Sequence, residues 1–305
     1  MRQARHSAAI FACRIAIAEA DSVGELRAVA HASYVLDMAL VESGRPDEAT
    51  HSWRALEIYQ QLGDPEHESL VLNNLGAVAY FNGRWDDAVS LYRRAAASSE
   101  RAGRPADLVY TNCNIGEILS DQGHLDEAEV HLQRARQLGG ATGEQQSVAC
   151  VDLFLGRLFL RQGKTRESVS TVESALADIR RFRLDWYADF ANAVIAEAEA
   201  FGGDPIRALE IASRELEAND RLRPMLSRAA GIAFARMGEK PASIRELRHA
   251  LKAARDRRAD YDIAATIDAL AALEDAEPEL LADRDEILER LKIKRLPAPM
   301  LVPAR

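Results

Sequence analysis

The amino-acid sequence predicts an all-α protein, built as an array of repeated helical hairpins. Apolar residues recur at helical spacing, only 6% of the residues are aromatic, and no segment shows the alternation typical of a β-strand. Glycines return at intervals of 39, 40, 40, 40 and 35 residues, and alanine or serine stands five positions after each one. These glycines are Gly44, Gly83, Gly123, Gly163, Gly203 and Gly238. Self-similarity with a period of about 20 to 50 residues is typical of one supersecondary unit stacked many times.

Each repeat is predicted to be a pair of helices joined by a glycine turn. In the two most regular repeats, Gly76 precedes Gly83 by seven residues and Gly116 precedes Gly123 by seven. Gly76 and Gly116 fall inside the first helix, where glycine costs about 1 kcal/mol relative to alanine. We therefore expect a neighbouring helix to approach closely at these two positions. Gly83 and Gly123 are expected to end the first helix in a left-handed or tight turn.

Aromatic residues and one weak repeat complete the packing expectations. Trp53, Trp85 and Tyr92 stand at repeat packing positions and are predicted to lie in the core. Trp186 and Tyr187 fall outside the strongest pattern, and the sequence alone leaves their role open. In the fifth repeat Ala196 replaces the internal glycine, so looser packing is expected there.

The repeats divide the chain into four segments. Residues 1–20 are expected to form a leading helix, either a cap or the second helix of a truncated repeat. Residues 21–258 are expected to form six hairpins, and residues 259–291 a divergent carboxy-terminal capping hairpin. The tail of residues 292–305 is rich in proline and cannot continue a helix. It is expected to be disordered or to pack against the last hairpin, and its apolar side chains favour packing.

Composition and charge exclude several classes of protein. A net charge of −9 argues against broad attraction to nucleic acid or to an anionic membrane surface. No apolar run approaches the length of about 18 residues that a membrane-spanning helix needs. Cys13, Cys113 and Cys150 are widely spaced and odd in number, which favours reduced thiols and a cytoplasmic location.

No catalytic, metal or cofactor motif is convincing. Gly163, Lys164 and Thr165 resemble the end of a phosphate-binding loop, but Gly156 stands seven residues before Gly163 where the motif needs five, and a helix precedes it. The seven histidines show no paired ligand spacing, and no nucleophile-elbow motif is present. We therefore expect no enzyme activity, no metal and no cofactor.

The repeats resemble the tetratricopeptide repeat, in the form of about 40 residues found in many bacterial regulators. The resemblance implies a tetratricopeptide-like α-solenoid, a right-handed superhelix whose first helices line a concave groove. Residues 72–76, 83–88 and 114–123 are similar to the carboxy-terminal arrays of actinobacterial proteins. Those proteins join an adenylate or guanylate cyclase domain, or a transcriptional-activator module, to a signalling ATPase. The resemblance thus implies a regulatory segment.

The register of the resembled repeat nominates residues for a partner-binding groove. It implies exposed positions on the first helices at Asn73, Tyr80, Phe81, Tyr110, Glu117, Asp121, Arg157, Arg161, Arg228 and Arg236. Asparagine amides can bond an extended peptide backbone, and arginines attract carboxylates. The alternatives are that the asparagines at positions such as Asn74 and Asn114 are structural and that the arginines are merely solvated.

Three functions remain open at this stage. The first is a non-catalytic scaffold or regulatory module that binds a protein or peptide in the concave groove, in bacterial signalling. The second is a carboxy-terminal regulatory segment that controls nucleotide turnover by a cyclase or signalling ATPase. The third is a small-molecule sensor, which predicts a rise in melting temperature with its ligand. Neither nucleic acid nor membrane is expected as a partner.

Overall fold

The computed structural model describes residues 2–273 and 277–298, and in this part of the chain all regular structure is helical. The helices are α1 (Arg2–Ser22), α2 (Leu26–Glu42), α3 (Ser52–Gln61), α4 (Pro65–Phe81), α5 (Trp85–Arg101), α6 (Pro105–Gln122), α7 (Leu125–Thr142), α8 (Gln145–Arg161), α9 (Thr165–Arg181), α10 (Asp185–Gly202), α11 (Pro205–Ala218), α12 (Arg223–Arg236), α13 (Lys240–Asp256), α14 (Asp260–Ala271) and α15 (Pro278–Leu291). Short 3₁₀ helices cover Pro46–Glu48 and Asp220–Leu222. The predicted all-α fold class is confirmed.

The helices pack as hairpins in two compact units, Met1–Ile115 (unit 1) and Gly116–Arg305 (unit 2), whose boundary falls inside α6. Most turns contain two or three residues, so successive helices run antiparallel. We call the even-numbered helices first helices and the odd-numbered helices second helices. Within a unit, first helices also pack on one another, as α2 does on α4 and α10 on α12. None of the helices in the described ranges combines the length and hydropathy needed to cross a bilayer.

Left-handed turns separate the helices about every twenty residues. Gly83 and Gly123 have φ angles of 68° and 83°, which confirms the predicted turn. Gly203 ends a helix as well, but its φ of −99° lies outside the left-handed region. Arginine takes the left-handed position at Arg183, with φ 57°. A residue that has a Cβ is strained in this left-handed conformation.

The glycines inside first helices lie against large side chains of the paired second helices, as predicted. A Cβ on Gly76 would lie 2.6 Å from Cε1 of Tyr92, and a Cβ on Gly156 would lie 2.3 Å from Cγ2 of Val172. The same contact recurs between Gly116 and Leu132 and between Gly231 and Leu247. Each large residue follows its glycine by sixteen positions. The prediction that Trp85 and Tyr92 belong to the core is also confirmed.

The first hairpin departs from this rule because Asp37 takes the position of the internal glycine. Asp37 is fully buried, and its Oδ2 accepts a hydrogen bond of 2.6 Å from the backbone N–H of Ser52. Its Oδ1 lies 2.9 Å from Nδ1 of His51. The carboxylate thereby holds the amino terminus of α3, which has 10 residues where α5 has 17. Trp53, predicted to be buried, is instead 46% exposed.

Candidate functional site

The first helices of unit 1 present a surface of amide, aromatic and apolar side chains. Asn73 is half-buried, and its Oδ1 accepts a hydrogen bond of 3.2 Å from Nδ2 of Asn114. The neighbouring Asn74 is buried and donates to Oγ of Ser52 at 3.0 Å. Asn74 therefore has the structural role that the alternative interpretation gave it, whereas Asn73 lies toward the surface.

Aromatic side chains extend this surface along α4 and α6. Tyr80 stacks on Trp85 with ring centroids 5.6 Å apart, and Phe81 meets Tyr80 edge to face at 5.3 Å. Phe81 is 52% exposed and Tyr110 is 55% exposed. Side chains of this size usually bury most of their area, so Phe81 and Tyr110 are candidates for contact with a partner.

Sequence reasoning missed two members of the surface on α2. Tyr34 is half-buried and Met38 is exposed, and they stand 39 residues before Asn73 and Ala77. The same register that nominated Asn73 would have found them if it had been applied one repeat earlier. We call Tyr34, Met38, Asn73, Phe81 and Tyr110 the unit 1 face.

The corresponding positions in unit 2 form a cluster of paired charges. Arg157 on α8 donates to Oε1 of Glu117 at 2.9 Å and to Oδ2 of Asp121 at 2.7 Å, both on α6. Arg161, one turn later, donates to the other oxygen of Asp121 at 3.1 Å and reaches Glu197 on α10 at 3.4 Å. Each ion pair therefore joins neighbouring first helices.

The chain of pairs continues through α10, α12 and α14. Arg228 on α12 donates to Glu197 at 2.7 Å and to Oδ1 of Asp262 on α14 at 2.6 Å. The guanidinium of Arg161 also lies over the ring of Tyr261, 5.1 Å from its centroid. We call Glu117, Asp121, Arg157, Arg161, Glu197, Arg228 and Asp262 the unit 2 charge cluster.

Burial overturns the expectation that the unit 2 positions are exposed to a partner. Asp121, Arg161 and Arg228 are buried, and their charges are satisfied by carboxylates and guanidiniums of neighbouring first helices. Arg236 is buried too, and it donates to the backbone oxygens of Glu199 and Ala200, at the carboxyl end of α10. Glu117 and Arg157 keep only a small exposed fraction.

Burial and pairing set the protonation of the cluster. Burial raises the pKa of Glu117 above its ordinary value, and the guanidinium of Arg157 offsets only part of that rise. Burial alone would also raise the pKa of Glu197, but Arg228 and Arg161 lower it overall. For Arg228, burial would lower the pKa, yet Glu197 and Asp262 raise it overall. The ion pairs among Glu197, Arg161 and Arg228 are therefore charged, whereas the raised pKa of Glu117 disfavours its charged form in the fold.

The carboxy-terminal segment packs on the turn between α6 and α7. The N–H of Lys294 donates to the carbonyl of Gln122 at 3.0 Å, and Nε2 of Gln122 donates to the carbonyl of Leu291 at 3.0 Å. Ile293 is buried. The start of the tail therefore contacts a turn far from the last hairpin in sequence, whereas packing was expected against that hairpin. Residues 299–305 lie outside the described residues.

Other residues singled out in the sequence have structural environments. Cys13, Cys113 and Cys150 are thiols outside any disulfide, and burial raises the pKa of Cys150 to about 11. Gly163 forms the left-handed turn after α8, so no strand precedes Lys164. In the described ranges, no group of three or more His, Cys, Asp or Glu side chains is placed to hold a metal ion.

The open role of Trp186 is settled by its neighbours. Its ring stacks on Phe190 with centroids 6.3 Å apart and nearly parallel planes, and the guanidinium of Arg221 lies 4.4 Å from its centroid. Trp186 therefore fixes the start of α10 against the segment that precedes α12.

Comparison with known proteins supports the fold and the repeat. Residues 36–101 match the tetratricopeptide repeat family model. A Rap protein complexed with competence and sporulation factor superposes with a TM-score of 0.68 at 16% identity, over 87% of this chain and 76% of that chain. The Rap conjugation gene regulator of the plasmid pLS20, in complex with the Phr* peptide, superposes with a TM-score of 0.63 at 12% identity, over 93% of this chain and 86% of that chain.

A third structural likeness covers less of the chain. BtubC (BKLC) from P. vanneervenii superposes with a TM-score of 0.56 at 19% identity, over 70% of this chain and 90% of that chain. None of the curated proteins matches the sequence. At these identities the structural likenesses establish the fold alone.

Proposed function

We propose that the chain is a non-catalytic regulatory module that binds an extended peptide or protein segment on the unit 1 face. The observation that carries this proposal is the contrast between equivalent positions of the two units. In unit 1 Phe81 is exposed and Asn73 is half-buried, while the residues in the same register of unit 2, Arg161 and Arg228, are buried in ion pairs. The family match, residues 36–101, also lies within unit 1.

The chemistry of the unit 1 face suits a main chain with apolar side groups. A pair of amides offers four donors and two acceptor oxygens, and the bond between Asn114 and Asn73 uses only one donor and one lone pair. The remaining groups can bond the backbone of an extended segment. Phe81, Tyr110 and Met38 supply apolar anchors beside them, and such anchors carry most of the binding energy at protein interfaces.

The two Rap structures support the proposal by analogy, since one contains competence and sporulation factor and the other contains the Phr* peptide. We propose a comparable regulatory role in bacterial signalling, in the cytoplasm, where the three cysteine thiols would stay reduced. The alternative remains a regulatory segment of a cyclase or signalling ATPase, supported by the resemblance of residues 72–76, 83–88 and 114–123. A cyclase or nucleotide-binding reading frame joined to the sequence before Met1 would favour that alternative.

Selection from a displayed library of random peptides tests the binding site. A selected peptide should lose at least about fivefold in affinity to the Asn73→Ala, Phe81→Ala and Tyr110→Ala variants, measured by calorimetry. Arg166→Ala, on the exposed surface of α9, is the control and should bind normally. Failure of any peptide to bind, or full affinity in all three variants, would refute the proposal.

A further inference from the structure

A concave region lies between the second helices α3 and α5 and the first helix α4 of unit 1, and none of the residues of the unit 1 face lines it. It is a cavity of about 550 Å³ between the 3₁₀ helix Pro46–Glu48, α3, α4 and α5. This volume is within the usual range for small-ligand sites. We call it the Trp53 crevice. Its apolar lining comes from Trp53, Leu75, Val78 and Leu91, and its charged lining from Asp47, Arg84, Asp87 and Arg94.

The crevice exists because the first hairpin breaks the packing rule of the array. Trp53 follows Asp37 by sixteen residues, as Tyr92 follows Gly76. The ring of Tyr92 fills the space over Gly76, which has no side chain. Asp37 leaves no such space, and its carboxylate instead binds the start of α3. The indole of Trp53 is therefore turned outward and forms one wall of the crevice.

Charges of opposite sign stand at a defined separation along the crevice. Asp87 and Arg94 are seven residues apart on α5, which is two helical turns or about 10 Å along one helix face. Both are exposed. Arg94 makes no ion pair among the described residues, and the pair between Arg84 and Asp87 is long, at 3.7 Å, and solvent-exposed. An exposed ion pair of this kind contributes little to the free energy of folding, so the Asp87 carboxylate is available to bind a cationic group.

We propose that the Trp53 crevice binds a free peptide of about three residues with apolar side chains. An extended chain advances about 3.3–3.6 Å per residue, so the two ends of a tripeptide are about 10 Å apart, which matches the rise from Asp87 to Arg94 along the axis of α5. The terminal ammonium lies at Asp87, the terminal carboxylate at Arg94, and an apolar side chain packs against Trp53 and Leu91. This site is independent of the proposed function, because its residues are not those of the unit 1 face.

The probe is trileucine, compared with its N-acetyl derivative, its carboxamide and free leucine. Titration into the full chain is followed by tryptophan fluorescence, with Trp53→Phe identifying the contribution of Trp53 among the three tryptophans. Trileucine should change the Trp53 signal saturably in the millimolar range and raise the melting temperature. Capping either end should weaken binding about two- to fivefold, and leucine should bind more weakly than trileucine.

Two variants locate the ends of the peptide. In Arg94→Gln, trileucine and its carboxamide should bind equally, and in Asp87→Asn the free and acetylated peptides should bind equally. Arg166→Gln, on α9, is the matched control, and in this variant both the carboxamide and the acetylated peptide should still bind more weakly than trileucine. The proposal is overturned if trileucine causes no Trp53-dependent change, if capped and free peptides bind equally to the native chain, or if the variants retain the native preferences.

Discussion

The carboxylate of Glu197 lies 2.7 Å from a terminal nitrogen of Arg228 and 3.4 Å from one of Arg161. These residues belong to α10, α12 and α8, so one carboxylate joins three first helices of unit 2. Glu197 is only 1% exposed. A charge buried this deeply is tolerated only when it is paired, and removing it leaves two buried guanidiniums short of a partner.

Glu197→Gln should therefore lower the free energy of unfolding by about 3–5 kcal/mol. Glu117→Gln is the matched control, because burial raises the pKa of Glu117 and its charge is disfavoured in the fold. That variant should be neutral or slightly stabilising at pH 7, where the unfolded chain carries the charge. Urea unfolding of both proteins measures the difference. Equal losses of unfolding free energy in the two variants would contradict the claim that Glu197 is charged and paired in the fold while the charge of Glu117 is disfavoured.

Gly156→Ala tests the close approach of α8 and α9. The new Cβ would clash with Cγ2 of Val172 at 2.3 Å, so we expect a loss of about 1–3 kcal/mol. Val172→Ala in the same chain should recover part of that loss, giving a favourable coupling in a double-mutant cycle. Gly140→Ala is the control, since Gly140 lies in α7 with open space at its Cβ position. It should stabilise by about 0.5–1 kcal/mol, through helix propensity alone.

Arg183→Gly should stabilise the protein although it removes a side chain. Arg183 has φ 57°, where glycine is unstrained and residues with a Cβ are not. The expected gain is about 0.5–1 kcal/mol, because glycine also adds freedom to the unfolded chain. Gly163→Ala, at φ 78° in an equivalent turn, should destabilise instead. Thermal unfolding that shows the same sign for both changes would argue against strain in these turns.

Asp64 should make stability depend on pH in the acidic range. Burial would raise its pKa, but hydrogen bonds from Arg27 and His67 lower it to about 2. A lowered carboxyl pKa stabilises the fold above the unfolded value near 3.8 and loses this effect as the pH falls toward 2. Asp64→Ala should cost about 1–2 kcal/mol at pH 6, through the lost cap on α4 and the lost ion pair. The gap between the two proteins should narrow below pH 4, and a gap that is constant with pH would count against this role.

Local rules predicted the hairpins because their signals lie close together in sequence. Gly76 and Tyr92 are sixteen residues apart, so the need for a small residue facing a large one is visible within one repeat. The turn at Gly83 is likewise a local requirement of the backbone. Trp53 is exposed because aspartate replaces glycine at position 37, and this replacement is also visible in the sequence of the repeat.

The charge cluster was not predicted because its contacts join different repeats. Register placed Arg161 on the first-helix face, but it could not reveal that Asp121 and Glu197, forty and thirty-six residues away, would neutralise it. Whether such a face is open or filled depends on how neighbouring first helices pack. The contact between Lys294 and Gln122 is equally remote in sequence.

Hydrogen–deuterium exchange of the full chain, with and without a peptide selected from the library, tests the central claim most directly. We predict slower exchange on peptide binding in α2, α4 and the start of α6, around Asn73, Phe81 and Tyr110, with α8, α10 and α12 unchanged. Slower exchange confined to α8, α10 and α12 would show that the peptide enters unit 2, and would contradict the account.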